Sequence, residues 1–194
     1  MHKEAVLISI RPKYAGEIFH GHKNVELRKT WPTALPLPFK AYVYCTQRQY
    51  TVMDVVHKGE CVWNEDDIWE SDTPLIIKID KNTPDNMIDR LKMVVGVITV
   101  DKILEIDWKD GKSLINGREL TKEDDLHTCV TVKEFLKYKG NGTVYGWHIS
   151  DYTYFVKPRP LSMFCVDRPP QSWQYLRASD PWDVRDIREE THGI

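Results

Sequence analysis

The nine residues Gly21-His22-Lys23-Asn24-Val25-Glu26-Leu27-Arg28-Lys29 constrain this chain most, because a helix ends, a strand begins and three potential reagents sit within them. Residues 11–20 before them read as a short helix. Pro12 is tolerated in a first turn, and Gly21 supplies the left-handed residue that stops it. Beyond Gly21 the apolar period changes to two. Val25 and Leu27 are expected to face a core, Asn24, Glu26 and Arg28 to face the other way, and Lys23 to lie at the turn that feeds the strand.

The neighbouring stretches supply the rest of a sheet. Val6-Leu7-Ile8-Ser9-Ile10 alternates as a strand should and runs directly into the first helix. Residues 31–38 hold Pro32, Pro36 and Pro38 and must be an extended connection, after which residues 40–46 form a third strand, β-branched and aromatic. Residues 94–106 are the longest strand candidate. Gly96 within them suits a bulge where a sheet curls, which suggests a barrel. Residues 107–112 read as a turn, and 131–138 as a helix closed by Gly140-Asn141-Gly142. Two aromatic strands, 144–150 and 152–156, flank Asp151, and residues 157–164 lead the chain out of the sheet.

The stretch from 47 to 93 reads as an insertion, since acidic, Asp/Asn-rich turns interrupt every hydrophobic run. Within it residues 54–58 suggest a helix, 74–79 a strand, and 83–91 a capped helix. The expected organisation is one domain over residues 1–167, with that insertion, and a C-terminal aromatic and charged extension over 168–194.

Charge and cysteines exclude several classes. A net charge of −2 argues against non-specific coating of nucleic acid, which needs cationic surface. Yet residues 1–40 carry seven Lys/Arg against three acids, so a local basic face survives the near-neutral total. Cys45, Cys61, Cys129 and Cys165 are widely spaced with no C-x-x-C pair, so neither a zinc site nor a disulfide framework is indicated. His20 and His22 bracket Gly21 without a third ligand nearby, and the acidic residues between Glu65 and Asp72 read as a solvated loop. No metal or other cofactor is expected. No run approaches the roughly 18–20 apolar residues of a membrane helix. Residues 1–4 lead straight into a strand and not into a signal peptide, so the expectation is a cytoplasmic protein with no membrane partner.

The order of these elements and the residues they carry resemble the ASCH domain, a branch of the PUA-like superfamily, as found in phage and bacterial proteins. Its signature, G-x-K-x-x-E-x-R after the first helix, is matched by Gly21, Lys23, Glu26 and Arg28. Residues 7–15, 95–98, 145–149 and 158–161 flank it in the family's order, and residues 168–173 look like the family's ending. The resemblance implies an α+β fold, a small PUA-like β-barrel with flanking helices, and nucleic-acid binding in a basic cleft beside it, RNA ahead of DNA. Some small members are amidohydrolases that act on acylated cytidine through a lysine, a threonine and a glutamate. Lys23 matches that lysine, Glu26 stands in the threonine's place, and the second acid has no clear counterpart among Glu123, Asp124 and Asp125.

The candidate site is therefore Lys23, Glu26 and Arg28. As a binding set, Lys23 and Glu26 meet a phosphate or a base edge while the planar Arg28 matches phosphate or guanine. Arg11, Lys13 and Lys29 steer a polyanion toward them, and Ser172, Trp173 and Tyr175 offer hydrogen bonds and a stacking surface. As a catalytic set, Lys23 activates electrostatically and Glu26 is a general base on water, in a hydrolase of a modified nucleoside or of RNA. The same residues also suit a structural ion pair at a barrel rim, and the aromatic tail suits a protein-interaction module or a cover for the barrel. Tyr145 and Trp147, at alternating spacing, are expected in the core.

Overall fold

A computed structural model describes residues 3–46, 56–57, 60–61 and 92–177. Eight strands make one mixed sheet: β1 Lys3–Ile10, β2 Val25–Arg28, β3 Phe39–Cys45, β4 Val94–Lys109, β5 Lys112–Ile115, β6 Arg118–Glu119, β7 Val144–Arg159 and β8 Trp173–Arg177. Two helices, α1 Pro12–Phe19 and α2 Val132–Lys139, pack against it, with short 3-10 turns at Lys122–Asp124 and Leu161–Phe164. β1 and β3 are parallel; every other pairing is antiparallel, in the path β8-β1-β3-β4-β7-β2, with β5 and β6 continuing from the far end of β4. The result is the expected α+β architecture, a curled half-barrel with two helices.

The curl comes from β4. Its pairing with β7 slips at Val94/Gly96, Thr99/Val100 and Val100/Lys102, and each slip bends the strand and increases its twist. Gly96 is required there: a Cβ would lie 2.5 Å from both the Phe19 ring and the Thr153 carbonyl oxygen.

Three apolar clusters follow from the alternation. Val6, Ile8 and Ile10 of β1, Ala41 and Val43 of β3, Ile98 of β4 and Trp147 of β7 face inward under Ala15 and Ile18 of α1. On the opposite face Leu7, Tyr42, Tyr44 and Val97 are covered by Phe164 and Val166. Val25 and Leu27 pack with Val144 under Phe135 of α2, and burying such a side chain stabilises the fold by roughly 1.5–3 kcal/mol.

Four expectations need correction. Residues 144–156 are not two strands around Asp151: β7 is continuous, because Asp151 is exposed and sits opposite Thr99, where a register slip leaves room for a polar residue. The expected turn at 107–112 shrinks to Asp110-Gly111, both with positive φ (51° and 80°), as a two-residue hairpin requires, so β4 runs on to Lys109. Where a helix is expected at 54–58, Val56–His57 pairs as a strand with Glu60–Cys61, in keeping with the β-branched Val56. The polar face of β2 does not meet solvent: Glu26 is 4% exposed. The expected strand at 74–79, the helix at 83–91, the acidic stretch 65–72 and residues 178–194 lie outside the described residues. No helix among the described residues is long and apolar enough to cross a membrane, and none of their His, Cys, Asp and Glu side chains gather in a group of three that could hold a metal ion.

Candidate functional site

The end of α1 sets the site. After Gly21 (φ 79°), the backbone N–H groups of His22 and Lys23 both donate to the Glu17 carbonyl, at 2.9 and 3.0 Å, which reverses the chain into β2. β2 pairs with β7 in the register Glu26 opposite Trp147 and Arg28 opposite Tyr145, so these four side chains share the face opposite to Val25 and Leu27, and Arg28 reaches from it to the Tyr138 hydroxyl of α2. Burial of both faces of so short a strand places charged groups where few charges are tolerated without partners.

Partners are supplied in full for the carboxylate. Glu26 Oε1 lies 2.8 Å from Arg28 Nη1, and Glu26 Oε2 lies 3.4 Å from Lys23 Nζ. Lys23 Nζ also donates to the Val25 carbonyl at 2.7 Å and to the Thr128 carbonyl, and stands 5.3 Å from the Tyr14 ring centroid in a cation–π contact. Arg28 Nη2 donates to the Ser9 carbonyl of β1 at 2.7 Å and Nη1 to the Leu27 carbonyl at 3.2 Å. The Lys23, Glu26 and Arg28 side chains are 1%, 6% and 12% exposed, which makes this a buried network and not an ion pair at a wet rim. Two donors on its face, Arg28 Nε and Trp147 Nε1, are buried and have no hydrogen-bond partner among the described residues.

Burial dominates the electrostatics. It pushes the Lys23 amine below its ordinary value, and the attraction of Glu26 only partly offsets it. Burial raises the Tyr14 hydroxyl, with Glu134 adding to the effect, and raises the Cys129 thiol against the opposing pull of Lys23. Burial also works to raise Glu134, but hydrogen bonds from the Thr131 N–H and hydroxyl, together with Lys13 and Arg11, overcome it and hold that carboxyl low.

The remaining predicted residues separate into two groups. Arg11 is the N-cap of α1 and Lys13 lies 5.5 Å from the Tyr14 ring centroid, so both stand beside the buried network. Lys29 lies at the α2 side: it donates to the Lys139 carbonyl at the end of α2 and sits 5.0 Å from the ring centroid of Tyr138, whose hydroxyl is hydrogen-bonded with Arg28. Trp173 lies 5.9 Å from Trp147, centroid to centroid, donates from Nε1 to Thr30 Oγ1 at 3.1 Å, and meets Tyr175 edge-on at 5.2 Å. The Tyr175 hydroxyl accepts from the Ala34 N–H at 3.2 Å, and the Ser172 carbonyl accepts from the Ser9 N–H at 2.9 Å. Trp147 is fully buried, as expected of a core residue.

Neither Glu123, Asp124 nor Asp125 joins Lys23. Asp124 is held by Arg118 and by Thr121, and Asp125 lies 3.0 Å from His127 Nε2. Sequence reasoning missed Tyr14, the Ser9 carbonyl and the 128–129 turn, where Cys129 takes φ 52°. Only Tyr14 carried a signal, as an aromatic ring between Lys13 and the helix interior.

Solved structures similar to this one include the ASCH protein of Zymomonas mobilis, with a TM-score of 0.55 and 17% identity over 92% of each chain. The fold is that of an ASCH domain. A serine-to-alanine variant of the Zymomonas protein gives 0.54 at 16% identity over 92% of each chain. A tyrosine-to-phenylalanine variant gives 0.53 at 18%, covering 92% of this chain and 94% of that one. No protein-family model and no curated protein matches the sequence. On this ASCH fold, the lysine, glutamate and arginine of the G-x-K-x-x-E-x-R pattern are the three residues of the buried network, and its glycine is the φ 79° turn that delivers them.

Proposed function

We propose that this protein binds single-stranded nucleic acid, RNA ahead of DNA, or one modified nucleotide within it, in a cleft beside the sheet built on Lys23, Glu26 and Arg28. The carrying observation is the pair of buried donors without acceptors, Arg28 Nε and Trp147 Nε1, on one face of β2 and β7. An unsatisfied buried donor costs about 1–3 kcal/mol, so a ligand that displaces the side chains covering these donors and brings acceptors, such as the carbonyl edge of a base, recovers that loss on binding. Arg11 and Lys13 beside the network supply positive charge for phosphates, and Trp173 with Tyr175 supplies ring surface for a base. Membership of the fold in a superfamily with RNA-binding members supports the same reading by analogy.

One observation favours a second reading, a hydrolase acting on a modified nucleoside or on RNA. Lys23 is an amine pushed down by burial and held 3.4 Å from a carboxylate, the kind of buried cation–carboxylate pair that acid–base catalysis uses.

A titration of labelled single- and double-stranded RNA and DNA at two salt concentrations, with strand integrity checked afterwards, decides between them. Binding of intact strands is expected to weaken with salt. Arg11→Ala/Lys13→Ala is expected to lower the slope of log K against log salt by about 1.4, from roughly 0.7 per phosphate contact on single strands. Product that forms with the wild type and not with Lys23→Ala moves the assignment to the hydrolase. Absence of binding at either salt removes the proposal.

A further inference from the structure

The C-terminal end of α1 carries aromatic rings that the buried network does not use. Tyr152 and Tyr154, two apart on β7 and so on one face, are 41% and 38% exposed. Phe19 lies between them, at 5.9 Å and 76° to Tyr152 and at 5.1 Å and 46° to Tyr154. The Tyr152 hydroxyl lies against Gly21, 3.3 Å from where a Cβ would be. On either side of that glycine the exposed rings of His20 and His22 stand nearly parallel, 22° apart with centroids at 6.1 Å. These rings are held in place before any ligand arrives. His20 Nδ1 is 2.8 Å from the Gly16 carbonyl, His22 Nδ1 is 3.2 Å from Glu17 Oε2, and Phe19 is seated on the sheet where Gly96 lacks a side chain.

Resting on the proposed nucleic-acid reading, we infer that His20, His22, Phe19, Tyr152 and Tyr154 form a second, sequence-tolerant stacking strip for the nucleotides next to the one held at Lys23, Glu26 and Arg28. Contiguity supports it. Cys129 Sγ lies 3.5 Å from the His22 carbonyl and 3.9 Å from Glu17 Oε2, and the same thiol feels the charge of Lys23, so strip and network adjoin through one turn. The chemistry of the surface suits bases. All five side chains are rings and four have hydrogen-bonding tips, which fits base faces and edges, and the strip runs on from the network proposed to hold a nucleotide. The carboxylate of Glu17 within the strip disfavours phosphate there. Arg11 and Lys13, at the other end of α1, take the backbone instead. Eight helical residues span about 12 Å. At ~3.4 Å per stacked nucleotide that is roughly three or four nucleotides.

The test is fluorescence anisotropy with labelled oligouridylates of one, two, four and eight nucleotides, on the wild type, His22→Ala/Tyr152→Ala and Tyr152→Phe. Affinity is expected to rise with length and level off near four nucleotides. The double variant is expected to bind the mononucleotide like the wild type and to lose roughly 5- to 100-fold on the tetranucleotide, the range that stacking supplies per base. Tyr152→Phe keeps the ring and should keep the gain. A length gain that survives in the double variant, or one that is absent from the wild type while the mononucleotide binds, overturns the strip and leaves the network reading intact. In the first case the strip is bare surface or a protein contact. Binding of no length by the wild type overturns both.

Discussion

Glu26 holds two cations with its two oxygens, and this division governs what each substitution does. Glu26→Gln leaves Lys23 and Arg28 buried without a countercharge, and is expected to destabilise the fold by about 3–5 kcal/mol in urea unfolding. Lys23→Met instead removes a poorly solvated ammonium and leaves Glu26 on Arg28 at 2.8 Å, so its loss should be the smaller of the two, although the Val25 and Thr128 carbonyls lose a donor. The pH dependence has a definite sign. The folded-state value of Lys23 lies below the 10.5 of an ordinary lysine, so between the two the unfolded chain binds more protons and stability rises with pH. The stability difference, wild type minus Lys23→Met, should therefore grow as pH is raised from neutrality toward about 10.5, and a flat or falling difference would contradict burial as the dominant influence. The identity of these residues was legible in the sequence, but their burial was not. Charged side chains are exposed by default, and nothing in Glu26-Leu27-Arg28 says that the strand has cover on both faces.

Elements translate these residues into position, and two of them carry sharp expectations. Thr131 and Glu134 form a reciprocal cap on α2: Thr131 Oγ1 accepts from the Glu134 N–H at 3.2 Å and Glu134 Oε2 accepts from the Thr131 N–H at 2.9 Å. Thr131→Ala should lower stability by about 1 kcal/mol in urea unfolding, and it loosens the helix that shields Val25 and Leu27. Gly96→Ala is expected to be worse, about 1–3 kcal/mol or more by the same measurement, since the Thr153 carbonyl oxygen that its Cβ meets is backbone in the paired strand. At this scale periodicity read most of the sheet and both helices. It failed where polar residues are exposed within a paired strand, as at Asp151, and it passed over Asn116-Gly117. That dipeptide takes φ 50° and 81° and turns β5 into β6, a strong hairpin signal that the surrounding charges masked.

For the whole molecule, the site is assembled from distant parts of the chain: Ser9 of β1, the turn and strand at 23–28, the Thr128 carbonyl and Trp147 all meet within one curl of sheet. Such long-range convergence leaves little local trace, which is why the resemblance to a known pattern singled out these residues as a candidate site while residue spacing alone left them open to a structural ion pair. Trp173 shows the same dependence. It was legible as too aromatic for a plain tail, yet its place against Trp147 follows only from the pairing of β8 with β1. Trp173→Ala should cost about 3 kcal/mol in thermal or urea unfolding, in line with large-to-small changes at packed aromatic positions. The pairing of β1 also imposes an order in time. Ala5 is flanked by Lys40 on one side and Leu176 on the other, and at about 5–20 residues per second a ribosome delivers the second partner on the order of ten seconds after the first. Through that interval one edge of a strand whose Ala5-Val6-Leu7-Ile8 run is wholly apolar lacks its ladder. The emerging polypeptide thus has a window in which a chaperone, or another nascent copy, competes for the place that β8 will take.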